Sequence, residues 1–294
     1  MHPILVAGLV LGAVLPLTTK PATSLAGVSL FRASASDLSA KVDLGEALAS
    51  STGGKTLLVL GTHAADFNMI EVAQRARAFW PQLQAKGVVR CLMVINSQAG
   101  SCLKLAELLD LPAEFELLSD ETGEAGRRFG VSRGFRPDDE NLSPELKLFV
   151  VGIGLGPPWG TLAAVLPGFW GNPGGKRAWV EAALKQGQQA GRSAGPLPPI
   201  LELGADGLIL SNRFDDFPVL GGWGLRPFEL ATLRLQNLAG IQFQHYDALK
   251  PTDNRCLTQL GGCAVVDSGG EPLFLWVDKG LCDVPDFDKL LAVL

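Results

Sequence analysis

Five cysteines and three histidines are the residues of this 294-residue chain best suited to covalent or acid/base chemistry, and their spacing restricts what they can do. Cys91, Cys102, Cys256, Cys263 and Cys282 form no C-x-x-C pair, so neither a dithiol redox centre nor a structural zinc site is written in the sequence. They are also too few and too irregular for a disulfide framework. Cys102 is the best candidate nucleophile: it follows Gly100–Ser101 at the expected head of a helix, where the macrodipole stabilises a thiolate. The competing reading packs Cys102 inward against Leu105 and Leu109 as an inert thiol. Cys91 falls within an expected strand and reads as core. Register counted from the Ser268–Gly269–Gly270 turn brings Cys282 opposite the segment near Cys256, so these two could pair; free thiols are the expectation in a reducing compartment.

Other chemistry-bearing patterns are thinner. His63 lies close to Asp66, which permits an acid/base pair, but His2 and His245 supply no metal set or triad around it, and a solvent-facing loop histidine is expected. Gly152–Gly156 (GIGLG) follows a strand-like run, Leu146–Val151, and precedes an expected helix from Thr161, superficially a dinucleotide loop. Pro157–Pro158–Trp159 interrupts it, no G-x-G-x-x-G is present, and no acidic residue follows about 20 positions on. The expectation is a tight backbone connection and no cofactor. Asp138–Asp139–Glu140 reads as a solvated turn rather than a cation site.

The elements that must position these residues are clearest between Thr56 and Asp120. Thr56–Thr62 (TLLVLGT) is a short apolar run flanked by glycines, suited to a strand buried on both faces. Met69, Val72, Ala73, Ala76, Phe79, Trp80 and Leu83 then recur at helical spacing, with Asp66 as the expected N-cap and Gly87 as the stop. Val88–Ile95 repeats the strand, Cys102–Leu111 the helix, and Phe115–Leu118 a third strand. Strands alternating with helices predict parallel pairing and right-handed crossovers.

Further on, Lys176–Gln186 is helical in pattern and Gly187–Pro199 is linker-like in composition. Pro227–Ile241 has helical apolar spacing with proline at the favoured first position. Cys263–Val266 and Leu273–Val277, joined through Asp267–Gly270, predict a hairpin, and Asp286–Leu294 a last helix. At the other end, Ile4–Leu17 is an apolar stretch containing Pro16, too short to span a bilayer comfortably and without a preceding Lys or Arg. Residues 1–27 are therefore a hydrophobic leader or a targeting segment, and membrane association through residues 4–17 stays open. A net charge of −5, with no basic run, argues against a nucleic-acid surface.

In order along the chain, GTHAADFNMIEVAQRA (Gly61 to Ala76), SDETGEAGRRFGVSRGF (Ser119 to Phe135), GPPWGTLAAVLPGFWGNP (Gly156 to Pro173), RPFELATLRLQNLA (Arg226 to Ala239) and LTQLGGCAVVDSGGEPLFLWVDKG (Leu257 to Gly280) resemble the peroxiredoxin-like proteins of cyanobacteria and plastid-bearing organisms. These belong with the alkyl hydroperoxide reductase/thiol-specific antioxidant group, near its peroxiredoxin-like 2 branch. The resemblance implies an α/β, thioredoxin-like fold over residues 28–294, in which the hairpin from Cys263 completes the sheet and residues 132–255 form a long insertion. It also implies a peroxidatic cysteine at the head of the first long helix, with a threonine and an arginine to hold the peroxide. The two cysteines of that branch would fall near Asp66 and Met69, and neither side chain attacks an O–O bond as a thiolate does. Thr62 stands about where the threonine is wanted, without its cysteine.

Two functions remain open at this level. One is a non-catalytic binding or assembly protein that keeps the fold as a scaffold, with Trp159, Phe169, Trp170 and Trp223 in glycine- and proline-rich turns as an interface. The same aromatics could instead cap the edge of a core. The other is an atypical thiol peroxidase or reductase using Cys102 or a C-terminal cysteine. By the resemblance, the setting is a chloroplast or cyanobacterial cell, near the thylakoid, with a partner in the photosynthetic machinery; a cytoplasmic setting is the alternative.

Overall fold

The computed structural model describes residues 21–34, 37, 40–50, 53–154, 159–163, 178–189, 201–203, 209–212 and 227–294. Its centre is a mixed seven-stranded sheet in the order β2-β1-β5-β4-β3-β8-β9. The strands are β1 (Ser29–Arg32), β2 (Lys41–Asp43), β3 (Lys55–Leu60), β4 (Val88–Ile95), β5 (Phe115–Ser119), β8 (Gly262–Val266) and β9 (Pro272–Val277). β3, β4 and β5 run parallel, as their β-α-β-α-β order demands, while β8 lies antiparallel against β3 with Val59 opposite Cys263. The hairpin thus joins the same sheet as β3 despite about 200 intervening residues, and on the far side β1 pairs with β5 and carries β2 at the edge.

Alternation along each central strand feeds two cores. Leu57 and Val59 of β3, Cys91, Met93 and Ile95 of β4, and Cys263 and Val265 of β8 face one layer. Leu58 and Leu60, Leu92 and Val94, and Ala264 and Val266 face the other. The first face is covered by α3 (Phe67–Ala85), α4 (Ala99–Leu109), α8 (Pro227–Leu249) and α9 (Phe287–Val293); the second by α2 (Leu44–Ala49), α5 (Glu124–Phe129) and Leu25 and Val28 just past α1 (Pro21–Ser24). Burial on both faces is why these strands read as continuous apolar runs rather than as alternating ones.

α3 begins where its cap predicts: Asp66, in extended backbone, accepts the Asn68 N–H. It ends at Ala85, two residues before Gly87, whose φ of 84° is a conformation that favours glycine. α4 starts three residues earlier than the apolar spacing predicts, at Ala99. The strand expected over Leu146–Val151 is instead part of α6 (Pro144–Gly152). Ser143 caps that helix through the Leu146 N–H and Pro144 occupies its first turn, so a local start signal overrides the apolar run. With a helix before Gly152–Gly154, the strand-to-helix setting of a dinucleotide loop is absent there.

Between α6 and β8 come α7 (Ala178–Gln189), the small hairpin β6 (Leu201–Leu203) and β7 (Ile209–Asn212), and α8. Of these, α8 is part of the main body: its Leu238, Ile241 and Leu249 lie in the first core. Among the described residues no helix is long and apolar enough to cross a membrane. The apolar stretch 4–17, the linker-like segment from residue 190 on, and Phe169, Trp170 and Trp223 lie outside the described residues.

Candidate functional site

Ligand sites of α/β sheets gather beyond the carboxyl ends of the parallel strands, which here are Leu60, Ile95 and Ser119. The three following segments are tied together there. Asn96 N–H donates to the Thr62 carbonyl at 3.1 Å, and Ala64 N–H to Ser97 Oγ at 3.0 Å. Ser119 Oγ donates to the Ser97 carbonyl at 2.6 Å. The loop from Thr62 to Asp66 is therefore fixed before α3 starts, and α8 adds a further clamp through Gln242 Nε2 on the Ala65 carbonyl, 2.7 Å.

This loop is more deeply buried than its sequence suggests. Thr62 and His63 are almost inaccessible, which corrects the expectation of a solvent-facing histidine. Burial lowers the His63 pKa, and the nearby Asp66 carboxylate offsets that only in part. Thr62 Oγ1, His63 Nδ1, Asn96 Nδ2 and Ser101 Oγ make no hydrogen bond to protein atoms among the described residues. Asp66, one of the two positions singled out by the sequence resemblance, spends its carboxylate on the Asn68 amide at 3.3 Å. Met69 is wholly buried and its thioether packs against Gly61, where an added Cβ would lie 2.1 Å from the sulfur.

The cysteines are placed just as firmly. Cys102 is fully buried in the first turn of α4, with its Sγ 3.7 Å from the Ser97 carbonyl, and burial pushes its thiol up to about 12. The helix-head position thus fails to yield a thiolate, because desolvation outweighs the favourable backbone there. Cys256 and Cys282 are free thiols, each pushed up to about 12 by burial. Cys91 and Cys263 lie inside the sheet, and burial likewise raises both thiols well above the ordinary cysteine range.

A second constellation abuts Thr62 and is invisible in the sequence. Asp278, just past the end of β9, is buried and receives Trp276 Nε1 at 3.0 Å, Gly261 N–H at 3.1 Å and Asn68 Nδ2 at 3.4 Å. Burial nevertheless raises its pKa well above the usual carboxylate range, reinforced by Asp283, whose own pKa is also raised by burial. Asn68 binds both sides of the C-terminal loop: its Oδ1 accepts the Cys282 N–H at 2.7 Å and its Nδ2 donates to the Asp283 carbonyl at 3.1 Å. Between Thr62, Asn68, Met69 and Asp278 lies a cavity of about 10 Å³. That is room for about one water, far from the several hundred Å³ of a small-molecule site.

Of the four aromatics proposed as an interface, Trp159 is half-buried. Its ring meets Phe135 edge-on at 5.7 Å and its Nε1 donates to Ser132 Oγ at 3.3 Å, the posture of a packing residue. The Asp138–Glu140 turn is solvated, with Asp138 held by Arg133 and Asp139 by Arg136. Among the described residues no cluster of His, Cys, Asp and Glu could hold a metal ion. Compared with family models, with curated proteins and with solved structures, the chain has no significant match.

Proposed function

We propose that this chain is a thioredoxin-like binding or assembly protein that does not run thiol peroxidase chemistry. The fold part of this reading is supported by the sheet itself: a parallel β3-α3-β4 unit is joined edge to edge with the antiparallel β8-β9 hairpin and followed by α9. That is the arrangement the peroxiredoxin-like resemblance calls for. The observation that carries the functional part is the head of α3, where a capping carboxylate and a buried thioether occupy the positions at which a reactive sulfur is needed. No substitute thiol compensates, since burial raises the pKa of all five cysteines. The proposed partner is a protein, and the chloroplast or cyanobacterial setting rests on the resemblance.

The test is peroxide consumption by the full chain with a thiol reductant, run beside pH-dependent alkylation of the cysteines. The expected result is no turnover above background and slow alkylation at neutral pH at every cysteine. Rapid alkylation of Cys102 at neutral pH, with peroxide turnover lost in Cys102→Ser, establishes the thiol enzyme instead.

A further inference from the structure

Beyond the carboxyl end of β5, a cleft of about 150 Å³ is lined by Thr122, Arg127, Arg133 and Arg255. The three guanidiniums come from separate places: α5, the turn after it, and the short 3-10 turn Asn254–Cys256. Those segments are pre-set against each other. Gln259 Nε2 donates to the Gly123 carbonyl at 3.0 Å, Leu260 N–H to the Ser132 carbonyl at 2.9 Å, and Thr252 Oγ1 to Glu121 at 2.9 Å. Gly134 locks the turn carrying Arg133, for its φ is 80° and an added Cβ would lie 2.3 Å from the Thr258 carbonyl oxygen. The segments that carry the arginines are therefore tied to one another by specific contacts, the Gln259–Gly123 bond among them buried.

The charges do not balance. Arg255 pairs with Asp253 at 2.6 Å and Arg133 with Asp138 at 2.7 Å, while Arg127 donates to the Thr122 carbonyl and has no ion pair among the described residues. Asp138 is exposed, so solvent screens its pairing with Arg133, which can yield to a better acceptor. Converging planar guanidiniums suit tetrahedral, multiply charged oxyanions, which accept several parallel N–H bonds. The cleft is also smaller than the roughly 300–1,000 Å³ of drug-sized pockets, which favours a single anionic group over a whole nucleotide.

We propose that the Arg127–Arg133–Arg255 cleft is a binding site for a phosphate group, free or borne by a small soluble molecule. The probe is inorganic phosphate, titrated calorimetrically into the full chain at constant ionic strength, with acetate as the monovalent control. Saturable binding of phosphate that exceeds that of acetate is expected. Arg127→Gln and Arg255→Gln should each weaken it about tenfold or more, with unchanged circular dichroism because both side chains are exposed. Absence of saturable binding, equal affinity in the double variant, or capture only on vesicles containing phosphatidic acid without binding of inorganic phosphate, overturns the proposal.

Discussion

Arg234 and Glu71, 163 residues apart, meet in the interior at 2.7 Å, and the contact fastens α8 to α3. Arg75 approaches the other oxygen of Glu71 at 2.5 Å and lies under the Trp179 ring, so one carboxylate holds two cations and joins α3, α7 and α8. Gln74 and Asn237 exchange reciprocal amide hydrogen bonds beside it. Burial alone would raise the Glu71 pKa, but Arg234 and Arg75 outweigh it and leave the pKa lowered.

Removing that carboxylate strands the buried Arg234 guanidinium and the half-buried one of Arg75. Glu71→Ala is therefore expected to destabilise the fold by about 3–5 kcal/mol in urea unfolding, more than Arg75→Ala, which leaves the Arg234 pair in place. Because the folded pKa is lowered, the stabilisation is present above the ordinary glutamate range and is lost as pH falls through the folded value. Glu71→Gln should remove that acid-side dependence.

The core β-α-β-α-β unit was legible in the sequence because its signals are local. Apolar runs bounded by glycine, helical spacing and the Asp66 cap each sit within a few residues of the element they specify. The same locality misled at Leu146–Val151, where the decisive residues were Ser143 and Pro144 just upstream. The Asp278 constellation had no such signal. Its burial depends on Gly261, 17 residues away, and on Asn68, 210 residues away, so it exists only once β8 has paired with β3. Likewise, the Cys102 position at a helix head was readable, but the depth that raises its thiol was not.

The fit of Met69 against Gly61 predicts a coupled pair. A Cβ at position 61 lies 2.1 Å from the Met69 sulfur and 3.1 Å from the Val94 carbonyl oxygen, so something must shift. Gly61→Ala should cost about 1–3 kcal/mol from overpacking. In a Met69→Ala background the same substitution should cost less, and a double-mutant cycle measures the difference. Additive effects would mean that the clash is with the backbone and not with the thioether.

Asp66 caps α3 through the Asn68 amide, so Asp66→Ala should lower stability by about 0.5–2 kcal/mol. Asp66→Ser, which restores a capping oxygen without the charge, should recover most of it in the same unfolding assay. Failure of serine to recover stability would assign the loss to the charge beside His63 rather than to the cap.

His63 and Asp278 should oppose each other in the pH dependence of stability. His63 has a lowered folded pKa, so the unfolded chain binds more protons near and below 6.5, and stability falls as pH drops through that range. Asp278 has a raised folded pKa, so the folded chain binds more protons above the ordinary aspartate value of 3.8, and stability falls as pH rises through that range. Each single group can contribute a slope of at most about 1.4 kcal/mol per pH unit. Between the two reference values the slopes have opposite signs, and the unfolding free energy of the native chain can look flat there while both effects operate. The variants separate them. Relative to wild type, His63→Gln should gain stability progressively as pH falls below about 6.5, whereas Asp278→Asn should gain progressively as pH rises above about 4. Parallel curves for wild type and Asp278→Asn would show that the three donors from Trp276, Gly261 and Asn68 keep the carboxylate ionised, and that desolvation at the end of β9 does not dominate it.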